Sequence, residues 1–329
     1  MFSIAVLAKK VFWRSKIFIF HKMGRKNDII PIKPEKGLPL IDCHCHFPSD
    51  ELPRSLKKGN KSIEKLNEEQ YRDFFENHNG KYIVTSTSIW GVDFRQKFRE
   101  THDNMLLTIG WGAQATTYAT SEEWKVDYPK YYEYLEKNTD KYDVIGEIGI
   151  DFHHAKTFKK REHQIDIFEE MIQKTKHLGK KYSLHVRNPT QNDRDPNSPN
   201  ASYNDRDICN DLILDILEAE KIPPSDVMWH CFSGPAEWGK MLGDKGYYIS
   251  IPSSAYGFKK WRRNIQDVPL DRLLAETDAS AQHPYTMGAF NTPSNVEYSL
   301  AAIAYVNEMA QMDIAKQVLK NAKVFFDIN

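Results

Sequence analysis

Residues 40–46 read Leu-Ile-Asp-Cys-His-Cys-His, an apolar start followed by two histidines that are separated by one residue. We interpret this stretch as a β-strand. Because alternate side chains of a strand lie on the same side, His44 and His46 face a common point. Two imidazoles in that arrangement suit one metal cation, although a His-x-His pattern also occurs by chance. Cys43 and Cys45 lie on the opposite side, where we expect core thiols rather than ligands.

Seven more short apolar runs follow along the chain, each ended by polar residues, glycine or proline. Together they predict eight strands, near residues 40–44, 82–85, 106–111, 144–148, 182–186, 227–230, 247–251 and 273–276. Amphipathic, helix-like stretches separate them, and strand–helix–strand repeats require parallel strands with right-handed crossovers. Eight strands close a parallel barrel. We therefore predict the α/β class and a (β/α)8 TIM-type barrel, formed by one domain over residues 39–329.

In such barrels the working residues lie at the carboxyl ends of the strands. Four more candidate ligands occupy those positions in the predicted strands: Glu147, His185, His230 and Asp278. A single histidine that ends an apolar strand is more often a hydrogen-bonded core residue. Six nitrogen and carboxylate ligands converging on one mouth are much harder to explain by chance, so the sequence predicts a metal site there.

These segments resemble the TatD family of metal-dependent deoxyribonucleases, within the amidohydrolase superfamily, from about residue 40 to residue 326. The matching segments are IDCHCH (41–46), GEIGIDF (146–152), LHVR (184–187), HCFSG (230–234), YYIS (247–250) and LLAETDAS (273–280), with a helix that contains Arg161, His163 and Gln164. The resemblance implies two divalent cations. His44, His46, Glu147 and Asp278 would hold one, and a bridging Glu147 with His185 and His230 would hold the other.

Imidazoles and carboxylates suit zinc, manganese or magnesium in varying degree. Two such cations can acidify a water and stabilise a leaving oxygen. We expect Asp278 and Glu147 to be catalytic, with Asp278 orienting the attacking water and taking its proton. Glu276 is interpreted either as a partner of the ligands or as a structural residue.

Arg161, Arg187 and Ser233 are the candidate substrate contacts. A guanidinium matches two phosphate oxygens at once, but either arginine could instead form a surface ion pair. Ser233 would offer a hydroxyl, and Gly234 a close backbone N–H. Two further sets of residues each allow two interpretations. His153 and His154 either line the mouth or are solvated loop residues. Four aromatic residues either stack on bases or pack in the core: Trp90, Trp111, Tyr118 and Phe152.

The sequence also departs from the family pattern. The family has His-Ser-Arg-Asp where this chain has residues 185–188, His-Val-Arg-Asn, and Arg-Asn-x-Pro where this chain has residues 290–293, Phe-Asn-Thr-Pro. A hydroxyl, an acid and a cation are therefore missing near the mouth. These changes leave the metal ligands intact but bear on nuclease specificity.

Charge and composition limit the function classes. The 45 basic residues equal the 45 acidic ones, so no global positive field attracts nucleic acid. Basic clusters at residues 159–161 and 259–263 are interpreted as solvated helix faces. The four cysteines have no secreted-domain spacing, which suits a reducing compartment and a cytoplasmic location. We expect a monomer.

The ends and two long loops are less defined by the sequence. Residues 1–38 are predicted to be an extension that is disordered or processed, and its apolar runs are too short for stable membrane insertion. The stretches 48–67 and 188–207 exceed an ordinary loop, and both would overhang the mouth as lids or as inert insertions.

Three functions follow from these observations. The first is a metal-dependent phosphodiesterase, an exonuclease-like deoxyribonuclease on single-stranded or damaged DNA, as the resemblance implies. The second is hydrolysis of an amide, ester or lactone, including removal of an acyl group from aminoacyl-tRNA. The third is a non-catalytic binding protein on a retired barrel.

Overall fold

The computed structural model describes residues 28–46, 82–87, 92–100, 105–119, 121–286 and 288–328. These residues contain one parallel sheet whose strands follow chain order, each hydrogen-bonded to the next. The strands are β1 (Ile41–Cys45), β2 (Tyr82–Thr87), β3 (Met105–Ile109), β4 (Val144–Asp151), β5 (Lys181–Arg187), β6 (Val227–Trp229), β7 (Tyr248–Pro252) and β8 (Leu273–Glu276). All eight predicted strands are confirmed.

Helices connect the strands, as the alternating pattern predicted. They are α1 (Val92–Arg99), α2 (Ala113–Tyr118), α3 (Ser121–Lys137), α4 (Phe158–Thr175), α5 (Ile208–Ala219), α6 (Ala236–Lys245), α7 (Lys259–Arg262), α8 (Val296–Val306) and α9 (Gln311–Phe325). None of these helices, which are those of the described part of the chain, carries an apolar stretch that would cross a lipid bilayer.

The sheet is curled, so its first and last strands approach one another. Beyond β8, the backbone N–H of Asp278 donates to the carbonyl of His44 at 2.9 Å, and the N–H of His46 donates to the carbonyl of Ala279. The arrangement is consistent with a TIM-type barrel. Strand β3 is buried along its whole length and reads as an apolar run, whereas β1 is equally buried although it carries Asp42 and His44.

Strand β4 is longer than predicted and irregular at its centre. Its pairing with β5 shifts register between Gly146 and Ile148, so that Glu147 lies in the irregularity. A Cβ at Gly146 would lie 2.6 Å from the carbonyl oxygen of Ser183, and a Cβ at Gly149 would lie 2.0 Å from that of His185. Only glycine permits this close approach, which brings Glu147 and His185 to the same edge of the sheet.

The described part of the predicted N-terminal extension packs on the rest of the fold. Ile30 is buried against Tyr256 and Ala301, and the N–H groups of Asp28 and Ile30 donate to the carbonyls of Gly257 and Tyr256. Residues 28–38 therefore belong structurally with the domain, which the predicted boundary at residue 39 did not anticipate. Residues 1–27 lie outside the described residues.

The basic stretch 259–263 is not simply a solvated helix face. Arg262 is buried, and its guanidinium donates to the carbonyls of Ala255 and Tyr256 and pairs with Asp28 at 2.7 Å. The interpretation of this residue as solvated was wrong because Arg262 connects the N-terminal segment to the loop after β7. The long loop at residues 48–67 lies outside the described residues.

Candidate metal centre

The two histidines of β1 meet as their spacing predicted. The Nε2 atoms of His44 and His46 lie 3.4 Å apart, and both approach Oε2 of Glu147, at 3.4 and 3.5 Å. Two ring nitrogens that face each other and a carboxylate offer several lone pairs to one point. A divalent cation at that point would accept a pair from each, so this donor set fits a metal ion.

Glu147 is the centre of the cluster. Its Oε1 lies 3.4 Å from Nδ1 of His185, while Oε2 lies 3.1 Å from Nε2 of His230. Oε2 of this carboxylate thus faces His44, His46 and His230, while Oε1 faces His185. Glu147 is therefore in contact with all four histidines of the cluster.

Asp278 completes the cluster from the loop after β8. Its Oδ1 lies 3.4 Å from Nε2 of His46 and 4.0 Å from Nε2 of His44. Asp278 has φ of 51°, a left-handed conformation that aspartate adopts more readily than most residues. Three groups of side chains in the described residues have ligand atoms close enough to share an ion: His44, His46 and Glu147; His44, His230 and Asp278; and Glu147, His185 and His230.

The second ring nitrogen of three histidines has its own partner. Nδ1 of His44 lies 3.3 Å from Oγ of Ser183, Nε2 of His185 lies 3.0 Å from Oδ2 of Asp151, and Nδ1 of His230 lies 3.4 Å from Oε1 of buried Glu276. The hydrogen bonds of His44 and His185 fix the tautomer and the orientation of these imidazoles. Glu276 lies within ion-pair distance of His230 without hydrogen-bond geometry, so it is a charged neighbour of a candidate ligand.

The sequence analysis did not identify two acids that support the cluster, Asp151 and Asp42. Asp151 follows Glu147 by four residues, and strand alternation alone would have placed both on one side of β4. Buried Asp42 accepts hydrogen bonds from the backbone N–H and the hydroxyl of Thr277, which positions the residue before Asp278. For Asp42 the sequence offered no signal beyond its place next to the His-x-His pair.

The electrostatics of the cluster reflect opposite charges at short range. Burial disfavours the charged form of Glu147, but His185 and His230 hold its pKa well below the ordinary value. Burial likewise opposes protonation of His46 and His185, yet the carboxylates beside them raise the pKa of His46 to about 10 and that of His185 to about 9. Burial and the neighbouring His230 lower the pKa of His44. Cations would compete with protons for these nitrogens.

The predicted substrate contacts divide into two kinds. Arg187 ends β5 and is exposed, two residues beyond His185 and therefore on the same side of the strand, and Ser233 is exposed three residues beyond His230. Arg161, by contrast, is fully buried. It donates to the carbonyls of Ala155, Tyr203 and Asp193 and to Oδ1 of Asn204. The prediction of a phosphate contact for Arg161 was wrong, because backbone carbonyls and the Asn204 side chain already accept the hydrogen bonds of its guanidinium.

Arg161 belongs to a second charged cluster, which we call the insertion clasp: Arg161, Lys156, His153, Thr190 and Asp193. The Asp193 carboxylate accepts from the N–H and hydroxyl of Thr190, at 2.9 and 2.7 Å, lies 2.8 Å from Nδ1 of His153 and pairs with Lys156. The clasp ties the stretch 188–207 to the residues that follow β4. The stretch is thus attached to the fold, and its role as a lid or as an inert insertion stays a prediction.

The structure also shows where the candidate base-stacking residues and the two cysteines of β1 lie, as far as it describes them. Trp111 and Phe152 are buried core residues, whereas Tyr118 is 60% exposed; Trp90 lies outside the described residues. Cys43 and Cys45 are buried free thiols in the core, and burial raises the pKa of each well above its ordinary value. Their assignment as core thiols is confirmed.

A family model and several known proteins are similar to this chain. The family model described as TatD related DNase matches residues 41–327. The uncharacterized metal-dependent hydrolase YabD of Bacillus subtilis is 25% identical over 296 residues, covering 88% of this chain and 100% of that protein. The human deoxyribonuclease TATDN3 is 24% identical over 302 residues, covering 88% of this chain and 95% of that protein. The crystal structure of the TatD homologue YJJV from Escherichia coli has a TM-score of 0.67 at 20% identity, covers 88% of this chain and 98% of that one, and shows likeness of fold.

Proposed function

The chain belongs to the TatD related DNase family of metal-dependent hydrolases, and we propose that it hydrolyses phosphodiester bonds at the ends of single-stranded or damaged DNA. The proposal includes a closed eight-stranded barrel, a monomeric enzyme and two divalent cations, zinc, manganese or magnesium. The observation that carries it is the sharing of Glu147 between two groups of ligands, one with His44 and His46 and one with His185 and His230.

Cations bound by those groups would supply an acidified water and positive charge for the leaving oxygen. The protein's own residues then have distinct tasks. Asp278 lies among the ligands from β1, where its carboxylate can accept the proton that the attacking water loses. Asp151 keeps His185 oriented through a hydrogen bond, and buried Glu276 places a carboxylate 3.4 Å from Nδ1 of His230.

Two exposed residues are suited to hold the substrate. The guanidinium of Arg187 matches a phosphate with two parallel hydrogen bonds, and its position two residues beyond His185 supports a contact at the scissile group. Ser233, just beyond His230, offers a hydroxyl for a further phosphate oxygen.

The test is release of nucleotides from an end-labelled single-stranded oligonucleotide by the purified protein with each metal in turn. Asp278→Asn should lower kcat by about 10²–10⁴-fold, as expected for loss of a general base. Metal analysis of both preparations separates loss of the base from loss of the ion. Equal cleavage by the two preparations would assign the activity to a contaminant.

The same assay distinguishes the other candidate reactions. Ester, lactone and aminoacyl-tRNA substrates are offered to the wild-type protein under the same conditions. Metal-dependent release of acid from these substrates, with oligonucleotides left intact, would replace the phosphodiesterase assignment. Absence of bound metal after reconstitution would favour a binding protein instead.

A further inference from the structure

Three aromatic rings lie in a row beside the metal centre: Tyr118, His154 and His153, which we call the ring row. Tyr118 ends α2, and this helix starts after Gly112, where a Cβ would lie 3.6 Å from Oε1 of Glu147. His153 and His154 follow β4 directly. The ring row is therefore built from the segments that follow β3 and β4, and β4 is the strand that carries Glu147.

The rings are neighbours and are accessible. The centroids of Tyr118 and His154 lie 6.1 Å apart and those of His153 and His154 lie 4.9 Å apart, with steep interplanar angles of 78° and 86°. The side chains of His153 and His154 are 32% and 26% exposed. Tyr118 is 60% exposed, which for an aromatic residue of the described chain is unusual. The three rings are therefore open to solvent and available to a ligand.

Hydrogen bonds hold the two imidazoles in place. Nδ1 of His154 lies 2.6 Å from Oδ2 of Asp151, the same oxygen that contacts His185 at 3.0 Å. Nδ1 of His153 lies 2.8 Å from Oδ2 of buried Asp193. The rings are thus oriented before a ligand arrives, and one carboxylate joins the row to a metal ligand.

Positive charge accompanies the row although the chain as a whole is neutral. The ammonium group of Lys160 lies 5.4 Å from the centre of the Tyr118 ring, and exposed Arg187 lies at the end of β5 opposite Asp151. Aromatic faces flanked by cations are the combination with which proteins bind single-stranded nucleic acid, the rings stacking on bases and the cations contacting phosphates.

We propose that the ring row binds unpaired nucleobases of a DNA strand whose phosphodiester lies at the metal centre. This inference rests on the proposed function and adds to it a subsite that accounts for the proposed preference for single strands. A base in a duplex is stacked and paired, so its face is not free for Tyr118. The row therefore selects strands, ends or damaged sites at which bases are already unstacked.

The experiment pairs enzyme variants with modified substrates. Binding of a short fluorescent single strand with hydrolysis-resistant phosphorothioate linkages is measured by anisotropy, and kcat/KM is measured on the natural strand. Tyr118→Ala should weaken binding about tenfold, whereas Tyr118→Phe, which keeps the ring, should bind as the wild type does. Val324→Ala, a truncation of another residue that is 60% exposed, on α9, is the matched control and should change nothing.

Abasic substrates identify the contact. Strands with one abasic nucleotide at each position near the end should reveal a position at which removal of the base costs the wild-type enzyme about tenfold in binding. At that position Tyr118→Ala should add little further loss. Independent, additive losses for the enzyme and the substrate changes would overturn the inference.

The outcomes separate the two proposals. If the wild type cleaves DNA and Tyr118→Ala binds and cleaves normally, the ring row is not a base subsite although the phosphodiesterase proposal stands. If the wild type binds single strands through Tyr118 but cleaves none, the subsite stands and the proposed reaction fails. If it neither binds nor cleaves DNA, both are refuted.

Discussion

Two clusters of charged side chains lie close together at the carboxyl ends of β4 and β5, and they differ in how their charges are satisfied. In the insertion clasp, Asp193 is surrounded by Lys156, His153 and Thr190, and Arg161 donates to backbone carbonyls. At the metal centre, carboxylates and ring nitrogens from five strands or strand ends face one another around a common space.

The difference separates a cluster that the protein satisfies with its own groups from one whose ligand atoms face one another. Buried ionic groups that find complementary partners within the protein stabilise a particular conformation, and removal of one partner leaves the others unsatisfied. At the metal centre, by contrast, the ligand atoms face one another, an arrangement that suits a bound cation rather than another group of the protein. Four experiments test this contrast, from the largest expected effect to the smallest.

Glu147→Gln should abolish metal-dependent hydrolysis and reduce bound metal at both groups of ligands, because both groups use this carboxylate. The circular dichroism spectrum of the metal-free variant should match that of the wild type. Metal content after reconstitution and dialysis is the measurement. Retention of the full metal content would contradict the central place of Glu147.

Arg161→Met should reduce stability and leave metal binding unchanged, the opposite of what is expected for Glu147→Gln. Loss of its hydrogen bonds to buried carbonyls should lower the free energy of unfolding by about 3 kcal/mol, while metal affinity stays unchanged. Urea denaturation and metal titration measure the two properties. Lys159→Met, an exposed neighbour in the same basic cluster, is the control and should leave both unchanged; a similar loss of stability in the two variants would remove the structural role of Arg161.

Asp151→Asn should weaken metal binding about 10–100-fold by removing the charge that orients His185, as is typical for partners of ligating histidines. Competition with a fluorescent chelator measures the affinity, and Asp215→Asn, on the exposed side of α5, serves as the control. Unchanged affinity in Asp151→Asn would show that its hydrogen bond to His185 is incidental.

Asp193 should make stability depend on acid pH. Burial would raise its pKa, but Lys156, Thr190 and His153 hold the pKa below the ordinary aspartate value. Because the folded pKa is depressed, the stabilisation is present above the unfolded pKa near 4 and is lost as the pH falls below it.

Asp193→Asn should therefore be less stable than the wild type at neutral pH and lose less of its stability on acidification. Denaturation midpoints between neutral pH and about pH 3 measure this, since that range spans the unfolded pKa. Asp313→Asn, at an exposed position of α9, should keep the wild-type slope. Parallel curves for wild type and Asp193→Asn would exclude the carboxylate as the source of the pH dependence.

The local sequence pattern was sufficient to predict the eight strands and most residues of the candidate metal centre. The short apolar runs predicted all eight strands, since strands of a parallel sheet are largely buried and therefore mostly apolar. Placing His44, His46, Glu147, His185, His230 and Asp278 together needed only the rule that parallel strands end at one edge. The shift of register that carries Glu147 was not predicted, because it depends on how closely β4 approaches β5.

Contacts between segments far apart in the chain explain why some residues have an environment that the sequence did not predict. Arg161 and Arg262 looked like members of solvated basic clusters, but each is buried by segments distant in the chain, the stretch 188–207 and the N-terminal residues near Asp28. Asn188, which departs from the family pattern, uses its side chain to accept from the N–H of Cys209 at the start of α5. None of these partners can be deduced from neighbouring residues.

By itself, then, the sequence determined the order of the strands and the chemical types at their ends, because both follow from local periodicity and residue identity. Tertiary structure alone decided which charges are neutralised by the protein and which remain for a cation or a substrate. The physical reason is that burial and pairing depend on distances between segments far apart in the chain. For that reason Arg161 is structural while Arg187 and Tyr118 remain exposed beside the metal centre.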